Sequence, residues 1–240
     1  MPNDCINSFT ITDLTDDQWR TLSASFQTND EDHQQSFLKT FFPEPDWQNT
    51  PNDKGELPST LDKNGISHFP DGSQDIRWYE WRNKHWGTKW DVYSCCLDQK
   101  GEDPSDIFSV NFCTAWAPLN EECMAVLSEN FPNSILTNYY HEEGSDFYGV
   151  TIAKDGEALD VCNSISEHRE AFLRQQFPDL DARLKEEGLD PEEDLEEFFW
   201  NYCDDGSFVE YLYDSLAPAL EEMIQEVVGK SEDNSATSFT

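Results

Sequence analysis

The chain has 240 residues, and its 50 Asp and Glu against 15 Lys and Arg give a formal net charge of −35 at pH 7. A surface this acidic repels phosphates, which excludes DNA and RNA as direct partners and favours basic proteins instead. Eight Trp, eight Tyr and 16 Phe are too many aromatic residues for a disordered acidic tail, so we expect a folded protein.

The chain lacks the signals of membrane insertion, secretion and metal binding. It has no run of about 18 apolar residues, and its first residues are not the basic and apolar segments of a secretory signal. Its seven cysteines are never spaced as C-x-x-C, and most lie in apolar runs. We therefore expect a cytoplasmic protein with reduced thiols and with no membrane partner, metal or cofactor.

The first part of the chain predicts a strand, two helices and a long loop. Residues 5–11 alternate between apolar and polar and favour a strand, and Thr15 is placed to begin a helix. A second, short helix is expected at residues 34–42, where the following prolines stop it. Residues 43–75 are rich in Pro, Asn, Asp, Gly and Ser, which predicts a loop insertion.

A tryptophan-rich basic stretch follows at residues 76–91, with four Trp and four Lys or Arg. Its first half has helical spacing, and Gly87 is placed to end that helix. Such a stretch could stack nucleic-acid bases and hold phosphates. We favour a structural interpretation, in which the Trp side chains pack under the insertion and the basic side chains pair with nearby acids, because the net charge opposes nucleic-acid binding.

The residues that follow predict four strands and a helix. The strands are expected at 92–97, 107–116, 134–140 and 147–153, and the helix begins near Pro118. Together with the first elements, the order is βαββαβ with one extra strand, which is typical of a ferredoxin-like, split βαβ arrangement. We therefore assign residues 1–155 to an α+β ferredoxin-like domain with a loop insertion at about 43–75.

The last third of the chain is more acidic and predicts a different structure. From residue 157 onward there are 23 acidic and five basic residues, so the net charge per residue is about twice that of the preceding part. Strand signals nearly vanish after Gly156, and apolar residues recur at helical spacing. We assign residues 156–230 to an acidic, mainly α-helical extension and residues 231–240 to a disordered polar tail.

Several segments of the predicted domain match those of a known family. They are Cys5-Ile6-Asn7, Phe42-Pro43-Glu44-Pro45, the motif Asn-x-x-Trp-Gly-Thr-Lys-Trp-Asp at 83–91, Phe112-Cys113-Thr114-Ala115-Trp116-Ala117-Pro118, and Tyr139-Tyr140-His141-Glu142-Glu143-Gly144. On these segments, residues 1–155 resemble the YubB-type ferredoxin-like domain of phage and conjugative-plasmid proteins. The resemblance implies a ferredoxin-like α+β fold and a mobile-element origin, with no established catalytic activity. Ala117 stands where the family usually has Ser.

The tryptophan motif is the most specific part of this resemblance, and we expect it to be structural. Its residues are Trp81, Asn83, Trp86, Gly87, Thr88, Lys89, Trp90 and Asp91. The expectation includes burial of Trp86 and Trp90 against the sheet. Gly87-Thr88-Lys89 lacks the glycine-rich lead-in of a phosphate-binding loop, so we do not expect that function.

No constellation of residues selects a catalytic or metal-binding site. His141-Glu142-Glu143 lacks the second histidine of an H-E-x-x-H motif, because Ser145 takes its place, and a solvated hairpin turn is expected there. With 50 acids, a catalytic pair of carboxylates cannot be told from a chance pair. The chain also has no G-x-S-x-G motif, so we do not expect an enzyme.

The acidic extension contains the candidate partner-binding residues. They are Glu186, Glu187, Asp190, Glu192, Glu193, Asp194, Glu196, Glu197, Asp204 and Asp205. A run of charges is usually a solvated helix face, but this density exceeds what solubility requires. Aromatic residues between 198 and 213 fall on more than one helix face, so we expect some of them at the surface, where they would anchor a partner.

These observations favour binding over catalysis. The main hypothesis is an acidic mobile-element protein of the host cytoplasm that inhibits a host defence protein by nucleic-acid mimicry, with carboxylates in place of phosphates in a basic groove. The alternative is an acidic interaction or assembly module that docks a basic partner without mimicry. A third and less favoured class is a small-molecule enzyme that uses the insertion at 43–75 as a lid.

Overall fold

The structure is a computed structural model that describes residues 3–27, 36–63, 65–98, 107–190 and 194–237. The first half contains β1 (Asp4–Ile11), α1 (Asp16–Ser25), α2 (Phe37–Phe41), β2 (Thr60–Leu61), β3 (Ser67–His68), α3 (Arg77–His85), β4 (Tyr93–Leu97) and β5 (Phe108–Ala115). The second half contains α4 (Glu121–Glu129), β6 (Leu136–Glu142), β7 (Phe147–Lys154), β8 (Glu157–Asn163), α5 (Ile165–Gln176), α6 (Leu180–Glu187), α7 (Leu195–Tyr202), α8 (Asp205–Ser215) and α9 (Ala217–Thr237).

Six of these strands form one antiparallel sheet in the order β4-β5-β1-β6-β7-β8. Both β1 and β4 pair antiparallel with β5, so they run parallel to each other with β5 between them. This is the split βαβ arrangement, in which α1 lies in the connection from β1 to β4 and α4 lies in the connection from β5 to β6. The predicted α+β class and the ferredoxin-like fold are confirmed.

One face of the sheet is covered by α1, α2 and α4. Strand alternation directs Phe9 and Ile11 of β1 toward these helices, and both side chains are fully buried. Phe26, which follows α1, stacks on Phe37 of α2 at a ring-centroid distance of 4.4 Å and on Phe112 of β5 at 5.9 Å. An aromatic cluster therefore connects the two helices to the centre of the sheet.

The opposite face is covered only in part. The helices that follow β8 pack on β6, β7 and β8, where Val150 and Ile152 are buried together with Phe172 and Phe199. On the same face of β1, however, Ile6 keeps 44% of its surface exposed. The acidic helices are therefore a third layer over one half of the sheet, and the outward face of β1 is left without them.

The acidic helical region begins later than the sequence predicts. Residues 157–163 form β8, which pairs with the whole of β7, so the boundary at residue 156 was wrong by one strand. The sequence conceals this strand because Glu157, Asp160 and Asn163 interrupt its apolar residues, and pairing with β7 overrides that weak propensity. The other end differs too, because α9 continues to Thr237, through most of the segment that was expected to be disordered.

The insertion at 43–75 contains a short hairpin rather than loop alone. Its strands β2 and β3 pair Thr60 with His68. Arg77 of α3 connects the insertion to the rest of the domain, because its guanidinium donates to the carbonyl oxygens of Thr50 and Trp47 at 2.7 and 3.0 Å. The insertion is thus held by a side chain of the tryptophan-rich helix.

A tyrosine that crosses a glycine secures β8. The ring of Tyr140 in β6 extends over Gly149 of β7, and its hydroxyl donates to the Asp160 carboxylate of β8 at 3.0 Å. A Cβ atom at residue 149 would lie less than 3.0 Å from the Tyr140 hydroxyl and from the carbonyl oxygen of Val161. Only glycine leaves room for this ring, which joins three neighbouring strands.

We expect Gly149→Ala to destabilise the fold by about 2 kcal/mol or more, because the added methyl group must displace the Tyr140 ring or the β8 backbone. Chemical denaturation of the full chain measures this loss. Gly229→Ala in α9 is the matched control, because nothing lies within 4 Å of the added methyl group and alanine favours a helix. Equal stability of the two variants would show that the crossing does not hold β8.

Candidate functional site

The predicted partner-binding acids lie on the outer side of α6, α7 and the segments that flank them. Those with described side chains are Glu186, Glu187, Asp190, Asp194, Glu196, Glu197 and Asp204, and all are exposed except the half-buried Asp194. We call this group the acidic helix surface. Glu192, Glu193 and the side chain of Asp205 lie outside the described part of the chain.

Amphipathic helices direct these carboxylates outward. Leu184 of α6 and Phe198 and Phe199 of α7 are buried in the core beneath, so the acids between them must face solvent. The turn after α6 depends on Gly188, which has φ of 76° and lets the amide of Leu189 reach back to the carbonyl oxygen of Leu184 at 2.8 Å. Glycine therefore sets the direction in which the chain leaves α6.

Several of these carboxylates are held by neighbours within the chain. Glu187 accepts a hydrogen bond from the Tyr202 hydroxyl at 2.8 Å, and Asp194 accepts one from the amide of Asp190 at 2.7 Å. Asp204 accepts the amide of Ser207 at 3.0 Å and so caps α8. These contacts fix carboxylate positions before any partner arrives, which lowers the entropy cost of binding.

Two aromatic side chains are exposed among the acids. Trp200 keeps 51% of its surface exposed and Tyr202 keeps 46%, whereas Phe198 and Phe199 are buried. The indole of Trp200 donates to Glu196, four residues earlier on the same helix, at 3.4 Å. The sequence indicated that some aromatic residues would be exposed, but only the burial of their neighbours identifies these two. Trp200 and Tyr202 were not among the predicted partner-binding residues, which were all acids.

The buried half of the tryptophan motif joins separate elements of the domain. Trp86 is fully buried, and its indole donates to the carbonyl oxygen of Phe42 at 2.9 Å. Gly87 has φ of 84° and sits where a Cβ would meet the backbone of the segment before α4. Thr88 is buried, and its hydroxyl accepts the amide of Ala115 at the end of β5 at 2.9 Å.

Asp91, the last residue of the motif, caps a helix that has no cap of its own. Its carboxylate accepts the amides of Leu38 and Lys39 at the start of α2, at 2.9 and 3.1 Å, and the amide of Val92 at 2.9 Å. Burial raises the pKa of the Asp91 carboxyl above its ordinary value, and the amide donors oppose that rise only in part. This carboxylate is therefore part of the scaffold.

The other half of the motif faces outward, which corrects one expectation. Trp90 keeps 39% of its surface exposed and is not buried against the sheet. The ammonium of Lys89 lies 4.9 Å from the centre of the Trp90 ring and 5.7 Å from that of Tyr79, so it is held by cation–π contacts. Trp81 is half-buried against the core, and Asn83 is exposed and donates to the carbonyl oxygen of Tyr79 at 2.6 Å.

The segment His141-Glu142 is not a solvated turn, which is a second correction. Both residues end β6 and are buried, with 7% and 5% of their surfaces exposed, and the turn itself begins at residue 143. His141 packs under α8, where its Nδ1 lies 2.8 Å from the Tyr213 hydroxyl. The third layer produces the burial of His141, because α8 covers the face of β6 on which that side chain lies.

A cleft of about 360 Å³ lies between the insertion and α3, where a small-molecule site would be expected. Two carboxylates line it, and each is already paired: Glu44 with Arg82, and Asp75 with Arg77. The Arg77 guanidinium holds the pKa of the Asp75 carboxyl below its usual range. A carboxylate with a lowered pKa is a poor general acid or base near neutral pH, so this cleft lacks a catalytic pair.

The described side chains bring together no group of three or more His, Cys, Asp or Glu that could hold a metal ion. Burial raises the pKa of the Cys5 thiol to about 12 and that of Cys123 well above its ordinary value, so neither is a ready nucleophile. In the part of the chain that the structure describes, no helix combines the length and the apolar character needed to cross a bilayer.

Comparison with known proteins identifies the domain class. Residues 89–187 match the family model of the ferredoxin-like domain in Api92-like protein. The match begins at Lys89 within the tryptophan motif and continues through α6, so it covers β4 to β8 and leaves out β1 to β3 and α1 to α3. The family description names a fold and no reaction, so the match supports the ferredoxin-like assignment without assigning an activity.

A crystal structure of a protein api92 from Yersinia pseudotuberculosis is similar to this chain at low level. The similarity covers 68% of this chain and 98% of that chain, with 12% sequence identity and a TM-score of 0.38. So low a TM-score does not establish a shared fold. No curated protein matches the chain in sequence.

We expect Asp91→Asn to destabilise the protein by about 1–3 kcal/mol, because one carboxylate oxygen becomes an amide nitrogen that cannot accept from the α2 backbone. Denaturant unfolding of the full chain measures the change. Asp214→Asn serves as the control, because that side chain is exposed, and it should stay within about 0.5 kcal/mol of the parent. If the two variants were equally stable, the scaffold role of Asp91 would be refuted.

Proposed function

We propose that this protein is an acidic inhibitor that binds a nucleic-acid-handling protein of the host and occupies its basic groove through the acidic helix surface. The observation that carries the proposal is the combination of exposed, partly immobilised carboxylates with the exposed rings of Trp200 and Tyr202. Carboxylates held in place can substitute for phosphates, and exposed Trp and Tyr are the side chains most often found at the energetic centre of protein interfaces.

The net charge of −35 supports the same partner chemistry over longer distances. Opposite charges on two proteins speed their encounter, and at physiological salt the attraction extends over about 8 Å. The acidic helix surface projects from the third layer, away from the cations that pair with acids around the insertion. Glu196 pairs with Arg169 at 3.7 Å, whereas Glu186, Glu187 and Glu197 form no ion pair with any described side chain, so their charge is left for a partner.

The proposal also includes the origin of the protein. The resemblance to YubB-type domains of phage and plasmid proteins supports a mobile-element source, and inhibition of a host defence protein in the cytoplasm is a role that such a source favours. The Api92-like match supports the domain fold and adds nothing about the partner.

The alternative is an acidic module that docks a basic partner without imitating nucleic acid. It needs the same surface, but its partner would retain free access to DNA or RNA. A small-molecule enzyme is less favoured, because the carboxylates of the cleft beside the insertion are neutralised by Arg77 and Arg82.

We expect charge reversal of Glu186, Glu187, Glu196 and Glu197 to Lys to weaken partner binding at least about a hundredfold, since four attractions become repulsions. The partner is isolated from host lysate on the immobilised protein, identified by mass spectrometry, purified, and titrated in rising salt. Binding should weaken as salt rises, and excess duplex DNA should displace the protein.

The matched control reverses Asp53, Glu80, Glu121 and Glu129, which are exposed acids on other elements and give the same net charge. This control should bind within about fivefold of the parent, because only the long-range attraction changes. If the two sets of reversals weakened binding equally, net charge alone would account for the interaction. The acidic helix surface would then be refuted as the binding site. Specific binding that duplex DNA does not displace would favour the docking module over mimicry.

A further inference from the structure

The strand β8 ends the sheet and has a regular outer edge. It pairs with β7 over seven consecutive residues without a bulge, from Glu157 to Asn163. None of its residues is buried, whereas most of β7 is. Neither Pro nor Lys, which proteins commonly use to protect an edge strand, occurs in it. The sheet therefore ends at β8 in a form that could accept another strand.

The turn before β8 determines which backbone groups point outward. Asp155 and Gly156 have φ of 50° and 86°, which is the two-residue type I′ hairpin turn. In such a hairpin the flanking pair, Lys154 and Glu157, exchanges both hydrogen bonds, and bonded pairs then recur at every second residue. Alternation leaves the amides and carbonyls of Ala158, Asp160 and Cys162 directed away from β7.

Those outward groups have no partner in the parts of the chain that the structure describes. Within the described residues, the backbone of Ala158, Asp160 and Cys162 makes no hydrogen bond to a loop, a helix or a side chain. The other edge of the sheet is different, because β4 is shorter and carries a bulge between Tyr93 and Cys96. Ser94, inside that bulge, has φ of 52°, which interrupts the edge. Of the two edges of the six-stranded sheet, as far as their residues are described, β8 is the uninterrupted one.

The side chains beside this edge define what an added strand must carry. On the face covered by the last helices, Leu159 and Val161 are partly buried against the core, which favours apolar side chains on that side of the new strand. On the other face, Asp160 is exposed and its carboxylate accepts from Tyr140 and Thr151. Asp160 is the acid of β8 on that face, and β8 has no basic residue, so the added side chain opposite Asp160 should be cationic.

We propose that β8 is a docking edge for an extended cationic segment of a partner protein, one in which Lys or Arg alternates with apolar residues. The segment adds a seventh strand, and its backbone pairs with Ala158, Asp160 and Cys162. Main-chain bonds supply affinity, and the alternation supplies selectivity. This edge is separate from the acidic helix surface, and the inference holds whether or not that surface imitates nucleic acid.

The probe is a fluorescent decapeptide of five Arg-Val repeats, which is titrated into the full chain near physiological salt. Anisotropy should show saturable binding, and amide hydrogen exchange at 158, 160 and 162 should slow by about tenfold or more. Cys162→Pro removes one outward amide and should weaken peptide binding by about fivefold while leaving the unfolding midpoint in place. Val161→Pro removes a bond to β7 and serves as the contrasting variant, with a lowered midpoint.

A block peptide with five Arg followed by five Val has the same composition and charge, and it should bind more weakly and protect none of the three amides. Equal binding of the two peptides, or binding without protection at β8, would reduce the effect to net charge and overturn the inference. Self-association of the protein alone that Cys162→Pro abolishes would assign the edge to a second copy and overturn the cationic occupant. Duplex DNA takes no part in this experiment, so its outcome is independent of the proposed mimicry.

Discussion

Mutual repulsion among 50 carboxylates is the constraint that the rest of this structure must satisfy. Folding brings these charges together, and only apolar burial and the few cations can offset that cost. The sheet meets the requirement by burying much of β6 and β7 between two helical layers, so that Val150 and Ile152 on one face and Ala153 on the other are all inaccessible to solvent. Two of the scarce arginines are used at half-buried positions: Arg77 and Arg82 bind carboxylates beside the insertion while lying over tryptophan rings.

Local signals made much of the fold predictable. The start of α1 follows from Thr15 and Gln18, whose side chains exchange hydrogen bonds with each other's amides in a capping box. The end of α3 follows from Gly87, because its positive φ is one that other residues resist. The pairing of the arginines in the tryptophan-rich stretch with nearby acids follows from charge. In each case the cause lies within a few residues of the feature it determines, or in a bulk property of the chain.

Features that depend on distant partners were not predictable in the same way. The strand β8 exists because β7 offers it a complete ladder and Tyr140 reaches across to Asp160, neither of which is visible in its own polar sequence. His141 is buried because α8, some 70 residues later, packs over it. The candidate acids were found from composition alone. The hydrogen bonds that hold some of these acids depend on the packing of Phe198 and Phe199 beneath them. The exposure of Trp200 and Tyr202 among the acids depends on the same packing.

The last helices cover one face of the sheet, and this limits where the chain can be shortened. Tyr148, Val150 and Ile152 of β7 are fully buried under those helices. A chain that stopped after β8 would expose this apolar stripe to water, and the middle of the sheet would carry an aggregation-prone patch. The acidic helices are therefore not a detachable appendage. A shortened relative without them would need a polar β7, a second chain in their place, or a chaperone to remain dispersed.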